Sequence, residues 1–193
     1  MRNLHLIFVL ATSLLPLATA QAAPADLPET GQTTCTDAVG ATISCVGTGQ
    51  DGDHLAGVAW PSPRFVVGTG VGTTDQCVTD TLTGLMWMRA PDSGARTWAH
   101  ALTFTNGLTL CGFSDWRLPN VNEIESLAHS EAANQANFLN DVGFTGVQAA
   151  DYWSSSSYAG RPARAWIVSM FAGNVYANDK TNSNYVWPVR AGQ

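Results

Sequence analysis

The sequence predicts an α+β domain. Two helix-like stretches, 97–107 and 120–128, precede four strand-like runs between 152 and 190, so helices and sheet are segregated along the chain. Hydrophobic residues make up 45% and charged residues 12% of the 193 residues, with 18 glycines and 7 tryptophans, too apolar and aromatic a composition for a disordered chain. That length fits one domain, or one domain with a small appendage. The net charge is −6 and the basic residues are scattered singly, which argues against a nucleic-acid partner.

The first element is read as a signal peptide over residues 1–22. Arg2 supplies the positive start, an apolar stretch runs from 4 to 17, and Ala18-Thr19-Ala20 and Ala20-Gln21-Ala22 satisfy the small-x-small cleavage rule. Its apolar stretch is shorter than the ~18 residues of a membrane span, so no span is expected. Residues 23–57, rich in Gly, Thr and Asp, read as an extended N-terminal arm. Trp60-Pro61-Ser62-Pro63 is a rigid joint because two prolines fix φ. The main domain is assigned to residues 58–193.

Within it, 65–71 is a short β-like run, and 78–89 a hairpin turning at Thr83-Gly84. Thr97 is placed to cap a helix with Trp98, Ala101, Leu102 and Thr105 on one face, closed by a left-handed stop at Asn106-Gly107. Asn120 and Glu123 form a capping-box pattern ahead of an apolar stripe of Val121, Ile124, Leu127 and Ala128. The late strands are expected over 152–155, 165–170, 173–177 and 185–190, with a turn at 171–174 between the second and third.

Export changes how the cysteines read. Cys35, Cys45, Cys77 and Cys111 are an even set, which favours disulfides over three conceivable pairings. Cys35 and Cys45 flank the turn Asp37-Ala38-Val39-Gly40, which suits a local staple and leaves Cys77 with Cys111. CxxC-type ligand spacing does not occur, and no metal or cofactor is expected. His54, His100 and His129 lack ligand spacing, and Ser154 to Ser157 lack a G-x-S-x-G elbow, so no catalytic residue is nominated. Asp51-Gly52-Asp53 reads as a solvated turn, two carboxylates being too few for calcium. In Asp115-Trp116-Arg117-Leu118-Pro119, Trp116 and Leu118 should pack inward, with Arg117 pairing Asp115 or strand carbonyls.

The binding candidate is the stretch 174–185. Tyr176, Asn178, Asp179, Lys180, Asn182, Asn184 and Tyr185 combine rigid amphipathic rings with adaptable amides, the composition of binding loops. No apolar period runs through 177–184, so these residues are expected along one exposed edge made by the last two strands and their connection.

Several stretches, in order, resemble the Lcl C-terminal domain family, the C-terminal domain of Legionella collagen-like proteins. They are TGQDGD (48–53), GVAWPSPRF (57–65), VTDTLTGLMW (78–87), SDWRLPNVNEIESL (114–127), YWSSSSYA (152–159) and YVWPVRAGQ (185–193). The resemblance implies a C-type-lectin-like fold with two helices and a mainly antiparallel sheet, distantly similar to formylglycine-generating-enzyme-type domains. The EPN, QPD and WND triplets of calcium-dependent sugar binding are absent, and no Cys follows Cys111 to support formylglycine-generating chemistry. The function expected is non-enzymatic recognition or adhesion in a secreted, periplasmic or surface-displayed bacterial protein, with an extracellular glycan or protein as partner. A structural or assembly module, homo-oligomeric or capping, is the alternative, and a hydrolytic enzyme the least favoured.

Overall fold

In the computed structural model of the chain, the described residues are 27–68 and 75–192. The signal peptide expected over 1–22 lies outside them, as do the first residues of the arm and the end of the run 65–71. Residues 27–57 carry β1 (Cys35–Thr36), β2 (Thr42–Ile43) and a short helix, α1 (Asp51–His54), where a turn was expected. Then follow β3 (Phe65–Val67), β4 (Cys77–Asp80), β5 (Leu85–Met88) and β6 (Asp92–Thr97). Three helices come next, α2 (Trp98–Asn106), α3 (Val121–Glu125) and α4 (Gln135–Asp141). The chain closes with β7 (Asp151–Ser157), β8 (Arg164–Ser169), β9 (Val175–Asp179), β10 (Ser183–Val186) and β11 (Val189–Ala191).

The fold is α+β, with four short helices rather than two and three mainly antiparallel sheets among the described residues. β1 and β2 form a ribbon. The order β6-β10-β7-β8-β9 makes a five-stranded sheet, and β11-β5-β4-β3 a four-stranded one. The pairing of β10 with β7 is parallel, at Tyr185 opposite Tyr152. The hairpin expected over 78–89 is β4 and β5, turned by Gly84 at φ +72°, a left-handed conformation that glycine adopts without steric cost.

Two disulfides join Cys35 to Cys45 and Cys77 to Cys111, as expected. The first closes the β1–β2 ribbon. The second ties β4 to the loop after α2, beside buried Met86 and Trp116.

The main core lies between the two larger sheets and the α3–α4 region. It contains Phe65, Val78, Trp87, Ile124, Leu127, Leu139, Phe144, Tyr152, Val168, Met170, Trp187 and Val189. A second cluster sets Ala101 of α2 against Leu118, Trp153, Ala165, Ile167 and Val186. One buried ion pair anchors the chain at β3. Arg64 Nε and Nη2 donate to Asp80 at 2.9 and 2.8 Å, and Nη2 also donates to Ser126 O at 2.8 Å. Asp80 further accepts from Thr83 Oγ1 at 2.8 Å, so the hairpin turn and the pair stabilise each other.

The capping box at Asn120 forms in full: Glu123 N–H donates to Asn120 Oδ1 at 2.9 Å and Asn120 N–H to Glu123 Oε2 at 2.8 Å. Three expectations need correction. Gly107 ends α2 at φ −94°, a right-handed rather than left-handed stop, because its N–H still reaches Thr103 O. Arg117 pairs Glu123, not Asp115, at 2.7 and 2.6 Å, since the capping box already aims that carboxylate at it. Asp115 instead binds Arg190 of β11.

The third correction concerns the run 185–190, which is two strands in two sheets. β10 belongs to the five-stranded sheet and β11 to the four-stranded one, with Trp187-Pro188 crossing between them. Trp187 is fully buried, its ring centroid 5.0 Å from Phe144, 5.5 Å from Tyr152 and 5.9 Å from Trp87. Its indole N–H donates to Met88 O at 2.8 Å. Trp187→Ala should therefore cost about 3–5 kcal/mol, read as a lowered urea midpoint. The same substitution at exposed Phe171 should leave the midpoint within ~0.5 kcal/mol of wild type.

Candidate functional site

The turn between β9 and β10 holds the predicted binding residues in unequal ways. Asn182 Nδ2 donates to Asn178 Oδ1 at 2.7 Å, and Asn178 Nδ2 faces Asn184 Oδ1 at 3.4 Å. Asn178 Oδ1 also accepts the Asp179 N–H at 2.9 Å. The three amides thus brace the turn as well as line it. Asn184 is 7% exposed, and its Nδ2 has no hydrogen-bond partner among the described residues.

The expected single exposed edge is corrected on two counts. β9 and β10 are not neighbours in the sheet, because β7 and β8 lie between them in the strand order. Asn184 is buried and Tyr185 half-buried, its ring 5.5 Å from Tyr152, so although they point to opposite faces of β10 neither lies on an exposed edge. Tyr176 is exposed on β9, where partial burial and the Asp151 carboxylate beside its hydroxyl hold the phenol up at about 12. Trp153 and Trp187 are fully buried, while Trp166 is half-buried against Tyr158 at 5.1 Å.

Folding gathers basic residues that are separate in the sequence. Arg164 donates to Asp179 through Nε at 3.0 Å and Nη2 at 3.3 Å, and Arg161 Nη2 lies 3.9 Å from the same carboxylate. The Arg164 hydrogen bond holds the Asp179 carboxyl below its ordinary value. Lys180 Nζ sits 3.9 Å from the Trp98 ring and donates to Ser157 Oγ at 2.6 Å. Three cations against one carboxylate leave this end locally positive on a chain whose net charge is −6. Arg161 and Arg164 are the residues that sequence reasoning missed, and a spacing of three between a loop and the first residue of β8 carries no periodic signal.

At a separate place, residues 27–34 lie against the α3–α4 connection. The Glu131 carboxylate accepts the Thr33 N–H at 2.6 Å, the Thr34 N–H, and the Thr33 hydroxyl at 3.2 Å. These amides hold its carboxyl at about 2, well below the ordinary 4.5. Gly31 passes so close to His129 that a Cβ there would stand 2.5 Å from Nε2. Trp60 donates its indole N–H to Glu29 O at 2.7 Å and meets the His129 ring edge-on at 4.8 Å. Burial lowers the His129 pKa, and its Nδ1 accepts the Glu131 N–H at 3.2 Å, as a neutral ring can.

The serines of β7 bond mainly across the fold rather than to near neighbours in sequence. Ser154 Oγ donates to Trp166 O at 2.7 Å, and Ser156 Oγ accepts the Val121 N–H at 3.1 Å. Asp51 and Asp53, weighed as a calcium turn, are engaged within the protein: Asp51 accepts from Thr30 Oγ1 and Asp53 from Gly49 N–H.

Residues 76–190 match the family model of the Lcl C-terminal domain, and the chain belongs to that family. A search of curated proteins finds no match. Family membership and two disulfides are consistent with an extracellular or surface location and with a surface or adhesion role.

The Glu131 contact makes docking of residues 27–34 acid-sensitive. A folded pKa of about 2 against an ordinary 4.5 stabilises docking above pH 4.5, and that stabilisation is lost as pH falls toward 2. His129, held below its ordinary 6.5, adds to the loss because its protonation disfavours the docked state. The hydrogen-exchange protection factors of the Thr33 and Thr34 amides, the intrinsic rate at each pH over the observed one, should fall across that interval. Glu131→Gln should already show low protection at pH 7 and respond little to further acid.

Proposed function

We propose that the chain is a secreted or surface-displayed, non-enzymatic recognition domain that binds an acidic group of an extracellular glycan or protein. The binding face is the end formed by the β9–β10 turn and the loop before β8. The observation that carries this reading is the convergence of Arg161, Arg164 and Lys180 on an otherwise acidic chain, beside exposed Asn182. Cations set among amides suit charge-assisted recognition of sulfate or carboxylate. The engaged hydroxyls of Ser154 and Ser156 favour a non-enzymatic role. We take the α+β domain as C-type-lectin-like on the ordered motifs that match the family, with export by a cleavable signal peptide.

A second reading, assembly into a larger surface structure, is favoured by one feature. Among the described residues β9 pairs with β8 alone, so its outer edge offers Val175 and Ala177 to a strand from elsewhere. Size-exclusion with light scattering separates the two: a monomer supports recognition, and an obligate oligomer that covers β9 supports assembly.

The binding face is tested on an array of glycans and proteins with purified protein. Arg161→Ala with Asn182→Ala should lower affinity roughly tenfold or more for any ligand found, because a charge-assisted contact is lost. Stability should move by no more than ~2 kcal/mol, since Arg161 is an exposed partner at 3.9 Å and Asn182 gives up one exposed hydrogen bond to Asn178. Unchanged binding by the folded double variant would sink the assignment.

A further inference from the structure

We propose a second binding site, a cleft between the Trp60–Arg64 joint and α4 that takes an arginine or lysine side chain from a partner protein. It is independent of the basic end described above.

The cleft has a volume of about 400 Å³, and its walls are largely apolar, from Trp60, Pro61, Pro63, Phe138 and Val142. A neighbouring cleft of about 370 Å³ shares Phe138 and Asp141 with it and continues along α4 past Asn137 to His129. The two together form a groove with an aromatic floor, where Phe138 lies 6.1 Å from Trp60 and 4.8 Å from His129.

The charges on this groove do not balance. Arg64 is paired through two hydrogen bonds with buried Asp80, which offsets most of its charge, and its guanidinium already covers the Trp60 face at 4.2 Å, leaving Phe138 as the open ring beside Asp141. The His129 ring is held toward its neutral form by burial. Glu131, on the second cleft, keeps its negative charge while accepting the Thr33 and Thr34 amides. Asp141 is exposed and has neither a hydrogen bond nor an ion pair among the described residues.

Asp141 also stands at the last residue of α4, where the helix carbonyls already present negative potential. The Asp141 carboxylate has no cation in contact with it among the described residues, and an incoming guanidinium or ammonium group would supply one. Its apolar stem would lie on Phe138 and Val142, as long basic side chains cover apolar surface, and its head would meet Asp141 with the aromatic rings nearby.

The probe is acetyl-(Gly-Arg)₃-amide, compared with the same peptide carrying neutral citrulline, by calorimetric titration into the full mature chain. The arginine peptide should bind, more weakly as salt rises, and the citrulline peptide roughly tenfold less well, because only the charge differs. Asp141→Asn should reduce arginine-peptide affinity by roughly the same factor without shifting the melting temperature, and Asp141→Lys should abolish it. Arg161→Ala with Asn182→Ala should leave this binding unchanged, so failure here and failure of the recognition face are separate results. Equal binding of the two peptides, or unchanged binding in both Asp141 variants, would overturn the proposal. Self-association abolished by both Asp141→Lys and Arg161→Ala would also overturn it, since the occupant would then be a second copy.

Discussion

The burial of Trp187 at the crossing from one sheet to the other is the constraint on which the domain depends. β10 and β11 are separated by two residues, Trp187 and Pro188, yet they belong to different sheets. A chain that changes sheet so abruptly leaves main-chain groups without a ladder partner and needs a large side chain to fill the space between layers. Trp187 meets both needs. Its ring packs on Phe144, Tyr152 and Trp87, and its N–H takes the Met88 carbonyl of β5. Pro188, with no N–H, requires no donor partner. Its carbonyl is taken by the Met88 N–H at 3.0 Å, so Met88 meets the crossing through both of its main-chain groups.

Much of the fold was legible where local chemistry decides it. The β4–β5 hairpin is visible from a Thr-Gly turn between apolar runs, and the start of α3 from the Asn120–Glu123 pair, because both signals lie within a few residues. The cysteine pairing followed from one short turn. The splitting of 185–190 was signalled only by Pro188, and a proline inside a strand pattern does not say whether the chain bulges, ends or crosses to another sheet. β6 was hidden for a different reason. Its residues, Asp92–Thr97, carry no alternating apolar pattern and are strand because β10 pairs with them.

The candidate site was legible in composition but not in arrangement. Asn178, Asn182 and Asn184 were singled out for adaptable hydrogen bonding, and they do bond adaptably, to one another. Arg161 and Arg164 escaped notice because their relation to Asp179 spans at least 15 residues and exists only after β8 and β9 pair. A sparse set of basic residues looked evenly scattered along the chain, whereas the fold concentrates three of them at one end and leaves the α4 face acidic. A charge distribution of this kind is a product of topology, and single-residue composition cannot reveal it.

The hold that Glu131 has on residues 33 and 34 has a consequence for how freely this part of the chain can change. Most of that contact is made to main-chain N–H groups, which every residue except proline possesses. Positions 33 and 34 can therefore drift through nearly the whole amino-acid alphabet while the segment stays attached at Glu131. What cannot drift is the space at position 31, where any side chain would meet His129. Attachment of the segment thus rests on the Glu131 carboxylate, the small residue at 31 and main-chain bonds at Glu29 and Thr30, and the side chains at 33 and 34 are left the freer to diversify.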